Sequence, residues 1–231
     1  CIFAYMIIYR DIAILEHDSH LSKWVKDSKR LDFDQNALPV VLPFIKEGDI
    51  VLDAGANIGC YSYAFLEKIG EKGFLYAFEP ANESFECLEY NLGKRENVAL
   101  INKALSYKDG YCKVIRPSNN VGMNFCEEVK NADAIKVTTI DSLGLNKLDF
   151  IKLDVEGDEL NVLIGGYNTI TKFKPNMYIE INEHTLKRKE LTKLDIFNWL
   201  DKNGYTYKNI YDGQGFNDDQ FDIIAIHNEK L

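Results

Sequence analysis

Cysteine is scarce in this chain. Only Cys1, Cys60, Cys87, Cys112 and Cys126 occur, and no two have the spacing of a metal knuckle. The odd, scattered set excludes a disulfide scaffold and reads as a reduced, cytoplasmic setting. Long apolar runs are also missing. The opening "CIFAYMIIYR" is apolar for nine residues before Arg10, too short to span a bilayer. It has no basic leader and no small-residue cleavage site, so it reads as a strand or core-packing segment and not as a signal peptide. There is no initiator methionine, and the chain is expected to be a piece of something longer. Excess positive charge is absent as well. With 36 acids against 27 basic residues the net charge is −9, which argues against general binding to nucleic acid or to an anionic membrane. The run Lys187, Arg188, Lys189 is read as solvated surface.

What remains is ordinary globular protein without repeats or linkers. Its 231 residues suit one large α/β domain. Strand-like and helix-like periodicities alternate. "DIVLDAG" (49–55), "FLYAFEP" (74–80) and "VALINKAL" (98–105) read as strands, with helices at 58–69 and 82–93 between them. Shorter strands surround a polar loop at about 117–134. A strand at 149–155, a helix at 158–170, a strand at 176–182 and a helix at 190–202 follow. "YTYKNIY" and "FDIIAIH" read as a terminal antiparallel pair. The expected fold is α/β: a mainly parallel, seven-stranded Rossmann-like sheet with helices on both faces and a C-terminal antiparallel strand pair. Residues 1–47 do not join the alternation. They are expected to flank or cover a domain at 48–231, with a helix near 34–46.

The first strand runs into "LDAGANIG". Gly55 and Gly59 bracket a turn where a ligand can meet bare backbone. The dinucleotide pattern G-x-G-x-x-G is not met, and Asp53 would repel a pyrophosphate. An acid there suits a sulfonium ligand carrying an amino group. Glu79, 24 residues after Gly55, is placed to accept ribose hydroxyls. Asp53, Gly55, Gly59 and Glu79 together describe an adenosine ligand without phosphate, which points to S-adenosylmethionine (SAM) before NAD.

Four ordered segments carry a resemblance: "VLDAGANIGCYSYAFLEKIGEKGFLYAFEP", "NKALSYKDG", "DFIKLDVEGDELNVLIGG" and "KPNMYIEIN". Over roughly residues 48–184 the chain resembles the FkbM family of SAM-dependent methyltransferases. "SHLSKWVKDSKRLDFDQN" is similar to viral and phage members, which would act in a host cytoplasm. The resemblance implies methyl transfer to a hydroxyl oxygen, often of a sugar or glycan. It implies Asp53, Gly55, Asn57 and Gly59 around the methionine half of the cofactor, Glu79 on the ribose, and Ala104 and Leu105 by the adenine. Tyr107 stands where the family often has Asp, so no adenine-binding acid is assigned there.

A sugar hydroxyl needs a general base, or a metal that lowers its pKa. Two strand ends offer groups at period-two spacing. One carries Lys152, Asp154 and Glu156. The other carries Glu180, Asn182 and His184. In one reading Asp154 or His184 is the base, Glu156 stands second to Asp154, and Lys152 tunes the charge. In another Asp154 and Glu180, with His184 as a third ligand, hold Mg or Mn. In the plainest, Glu156, Asp158 and Glu159 cap the next helix. The resemblance implies an acceptor pocket built by the N-terminal segment and the loop at about 117–134, with His17 and His20, ahead of Trp24, as outside candidates for covering the acceptor. An NAD(P)-linked oxidoreductase, or a non-catalytic module of a larger glycan-assembling protein, is the alternative to a methyltransferase.

Overall fold

Alternation of apolar residues along the central strands buries both faces of one sheet, and the helices supply the cover. A computed structural model describes residues 5–32, 34–131, 134–211 and 215–231. The chain opens with a hairpin, β1 (Met6–Tyr9) and β2 (Ile12–Leu15), then α1 (Leu21–Ser28) and a short α2 (Leu38–Val41). The regular alternation begins with β3 (Ile50–Ala54), α3 (Cys60–Ile69), β4 (Phe74–Phe78), α4 (Asn82–Leu92) and β5 (Val98–Ile101). A side excursion follows: β6 (Ala104–Leu105), β7 (Gly110–Ile115), β8 (Phe125–Val129) and β9 (Ile135–Thr138). The chain then returns through β10 (Phe150–Leu153), α5 (Glu159–Gly165), α6 (Tyr167–Phe173), β11 (Asn176–Asn182), α7 (Glu183–Leu186), α8 (Lys193–Lys202), β12 (Tyr205–Asn209) and β13 (Gln220–His227).

The main sheet has seven strands in the order β12-β13-β11-β10-β3-β4-β5. β3, β4, β5, β10 and β11 are parallel, and β13 runs antiparallel to both β11 and β12. This is the expected architecture. Period two sorts the side chains. Leu52, Ala54, Ile151, Leu153, Met177 and Ile179 join the core beneath α5 and α8. Val51, Phe150 and Tyr178 face α3 on the other side. Residues 13–45 add Ala13, Ile14, Leu15, Val25 and Ile45 to that second core.

Several boundaries differ from the sequence expectation. Residues 98–105 divide: Val98–Ile101 stays in the main sheet, while Ala104–Leu105 pairs with β9 in a separate four-stranded sheet. The helix expected at 158–170 breaks at Gly166, where a Cβ would meet Ile140 and Ile170 at 3.0 Å. The helix expected near 34–46 shrinks to Leu38–Val41 and a 3-10 turn at Leu42–Phe44, with Pro39 and Pro43 starting the two pieces. The polar stretch before it holds α1, whose Leu21, Ser22 and Val25 are buried. In the opening run, residues 1–4 lie outside the described residues, and Met6–Tyr9 form β1. Cys112 and Cys126, on neighbouring strands, bring their thiols to 3.0 Å. Among the described residues no helix is long and apolar enough to cross a membrane.

Candidate functional site

From β3 the chain winds outward through β4 and β5, then returns to lay β10 and β11 on the other side of β3. The switch in direction leaves a crevice beyond the C-terminal ends of β3 and β10. A cavity of about 340 Å³ opens there, in the size range of small-molecule sites. Gly55 shows why the two turns can meet. Its φ is +82°, and a Cβ would lie 1.8 Å from the Asp154 carbonyl oxygen, so only glycine lets β3 and β10 end this close together.

One end of the cavity is built by the turns after β3 and β4. Gly55, Asn57, Glu79, Ala104 and Leu105 all line it. Glu79 accepts the Asn57 N–H at 2.9 Å and the Ala81 N–H at 2.8 Å. Burial outweighs those two bonds and pushes its carboxyl up to about 7. Each oxygen keeps a further lone pair for a ligand hydroxyl. The Asn57 side-chain oxygen is buried and makes no hydrogen bond within the protein. Asn57 also holds φ +50°, an uncommon backbone state for a residue with a Cβ.

The other end is acidic. Asp154, Glu156 and Glu180 line it and can each bring one carboxylate oxygen within 4.8 Å of the others. Lys152 lies below them, 1 % exposed. Register explains its place: Lys152 sits directly beside Asp53 on β3 and Tyr178 on β11, all on the α3 face. Its Nζ lies 3.3 Å from Asp53 and 3.2 Å from Asp154, donates to the Gly55 carbonyl at 3.1 Å, and stands 5.2 Å from the centre of the Tyr61 ring. Burial disfavours the ammonium, but Asp154 and Asp53 more than offset it, so the pKa is raised and the charge is kept. Asp53 is fully buried behind the turns, accepts from Ser62 at 2.6 Å and does not line the cavity.

Glu156 carries φ +58° and is followed by Gly157 at φ +106°. Burial, then the charges of Asp154 and Glu159, push its carboxyl up to about 8. Glu180 is raised well above the usual carboxylate range by burial and then by Asp154, Glu156 and Asp222. Gln220 donates to Glu180 at 2.9 Å. Glu159 is 1 % exposed and accepts the Val155 and Gly157 N–H groups, each at 3.1 Å, so it holds the turn that presents Glu156. Asp158 stands at the N-cap of α5 but makes no capping bond there; it accepts from the Asn161 side-chain amide at 2.6 Å and also lines the cavity.

Besides Asp53, two expected residues stand outside the cavity lining. His184 is exposed on α7 and outside the cavity lining. β11 ends at Asn182, whose side chain accepts the His184 and Thr185 N–H groups, so strand parity stops before His184. It stands outside the Asp154, Glu156 and Glu180 cluster. Gly59 also leaves the lining: its φ is +101°, and a Cβ would meet Leu88 at 3.0 Å, so it seats α3 against α4. Of the N-terminal histidines, His20 lines the cavity. His17 sits 3.7 Å from Glu83 on another face.

Two further groups complete the lining. Tyr61, on the cavity wall, donates to Asp34 at 3.0 Å and meets the Tyr178 hydroxyl at 3.2 Å. Residues 120–126, within the 117–134 loop expected to shape the acceptor pocket, also line the cavity.

The comparisons fit this geometry. One relative is the 2-O-methyltransferase NoeI of Sinorhizobium fredii, 28 % identical, with 63 % of this chain and 68 % of that protein covered. Another is the hexuronic acid methyltransferase AglP of Haloferax volcanii, 26 % identical, covering 70 % of this chain and 67 % of that one. The crystal structure of methyltransferase FkbM from Methylobacillus flagellatus superposes with a TM-score of 0.52 at 16 % identity, over 80 % of this chain and 44 % of that longer one. The family model of the methyltransferase FkbM domain matches residues 53–207, a span that begins at the buried Asp53 and includes every acid of the cavity. The chain belongs to the FkbM methyltransferase family.

Proposed function

We propose that the protein is a SAM-dependent O-methyltransferase acting on a sugar hydroxyl, with residues 48–231 as its catalytic unit and residues 1–47 as a flank that completes the pocket. One observation carries the reading: a single cavity joins the Gly55–Asn57–Glu79 turns to the Asp154–Glu156–Glu180 acids. The names of the two relatives support a sugar as acceptor. The oxidoreductase and non-catalytic readings have no comparable support. The pocket also fits the cofactor, because Glu79 keeps free lone pairs, the Asn57 oxygen has no partner, and bare backbone is exposed at Gly55.

When bound, SAM supplies a methyl group on a sulfonium, open to in-line attack by an oxygen. The protein's part is orientation and proton removal. Glu79 receives ribose hydroxyls, Asn57 faces the methionine half, and Ala104 and Leu105 bound the adenine. Lys152 holds Asp154 and the β3 turn in fixed relation. Glu156 takes the acceptor's proton: its carboxyl opens on the cavity, and burial pushes it up to about 8.

Calorimetry with S-adenosylhomocysteine tests the cofactor half. Micromolar binding is expected, and folded protein that binds none at millimolar ligand rejects the reading. Labelled SAM with a panel of hexosides tests the acceptor half. The Asp154, Glu156 and Glu180 cluster leaves a divalent ion as the second reading. Dialysis against EDTA is expected to leave turnover unchanged. Loss of activity, restored by Mg²⁺ or Mn²⁺, would instead assign the three acids to coordination.

A further inference from the structure

The wall of the cavity away from the sheet is made by two segments remote in sequence: His20 and Leu21 at the start of α1, and Asn120–Asn124 between β7 and β8. One buried carboxylate joins them. Asp18 is 5 % exposed. Its Oδ1 accepts the His20 N–H at 3.2 Å and the Val121 N–H at 3.2 Å, across 103 residues of chain. Its Oδ2 accepts the Ser22 N–H at 2.6 Å. The Ser19 N–H adds a backbone bond to the Asn119 carbonyl at 3.0 Å. A carboxylate shared by three backbone donors is a strong fixture, because no donor is left buried and unpaired.

We propose that Asp18 is a positioning residue for the methyl acceptor: it clasps the 119–124 loop to the N-terminal segment and so sets the acceptor wall of the pocket. The proposal rests on the methyltransferase reading and extends it to a residue outside the family match, which begins at residue 53. The cofactor end is held by a different set of bonds. Glu79 ties Asn57 and Ala81, and Asn102 donates to the Glu79 and Pro80 carbonyls at 2.9 and 3.3 Å. Asp18 takes part in none of these. Release of the clasp therefore loosens the acceptor wall and spares the cofactor.

Asp18 also caps the start of α1 through Ser22, so Asp18→Asn alone mixes two effects. Val121→Pro separates them. It deletes the Val121 N–H and leaves the carboxylate in place. Val121 opens a 3-10 turn, and Asn120 before it already has φ −84° and ψ 103°, the extended state that a following proline requires. The substitution fits the local backbone.

The test measures three quantities on wild type, Asp18→Asn, Val121→Pro and the double variant. Amide exchange of residues 119–124 is expected to quicken by about tenfold in both single variants, the loss of one hydrogen bond. Affinity for S-adenosylhomocysteine is expected to stay within about twofold of wild type. With the hexoside that the wild-type protein methylates best, KM rises by about tenfold in Val121→Pro while kcat holds within about threefold, because only ground-state placement is lost. The double variant raises KM no further than Asp18→Asn, since both changes remove one link. Unchanged exchange in Val121→Pro, an unchanged KM, or cofactor affinity falling in step with KM overturns the clasp. If wild type methylates no hexoside, the sugar reading fails by itself, and exchange with cofactor affinity still judges the clasp.

Discussion

Replacing Glu156 by Gln is expected to lower kcat/KM by about 10²- to 10⁴-fold, the usual contribution of a positioned general base. Affinity for S-adenosylhomocysteine should not change. Glutamine keeps the size of the side chain and removes only the ability to take a proton. The backbone there is held firmly enough for the comparison to be clean. Glu159 grips the turn from beneath, and Gly157 packs so close to α7 that a Cβ would lie 2.5 Å from the Thr185 carbonyl oxygen. The wild-type pH profile makes the same point independently. Burial pushes Glu156 up to about 8, and the base works only when deprotonated. The rate should therefore rise with pH, gaining about tenfold per unit on the acid side and levelling near pH 8. A Glu156→Gln enzyme with wild-type turnover, or a profile flat from pH 6 to 9, would remove Glu156 from proton transfer.

The acids of "IKLDVEGDEL" show how far the sequence reached. Strand parity grouped Lys152 with Asp154 and Glu156 on one face, but the buried partner of the lysine was not legible. Asp53 lies 99 residues earlier, and only the pairing of β10 beside β3 brings the two together. The same pairing changes the meaning of Asp53, from a group facing the cofactor to the buried counter-charge of a lysine. Glu156 lies past the end of β10, where parity no longer applies. A left-handed turn, invisible to periodicity, brings it to the cavity. His184 lies outside the cavity lining for the matching reason, since β11 ends two residues before it and α7 turns it outward. The pattern of glycines was legible as turns but not as roles: Gly55 admits a neighbouring backbone and Gly59 admits two leucines. The two segments of the acceptor wall were expected, but the bond that joins them was not: Asp18 and Val121 carry no shared periodicity, and their contact exists only in the folded chain.

Lys152→Met should be the most destabilising single change in the site, by about 3–5 kcal/mol. The shape and apolar stem are nearly kept, so packing loss is small. What is lost is the one ammonium that faces both Asp53, fully buried, and Asp154, about a third exposed. Asp53 then retains only the Ser62 hydroxyl, and its Oδ1 already lacks a hydrogen bond. Urea unfolding gives the direct measurement, with a lower midpoint at unchanged slope. A further result separates charge from packing. Adding Asp53→Asn to Lys152→Met should recover part of the loss, because the uncompensated anion goes with it. A loss unrelieved by Asp53→Asn would mean that the methionine simply packs badly. Recovery would identify the alternating charges of β10 as one buried ion set, with Lys152 and Asp53 below the cavity and Asp154 at its floor.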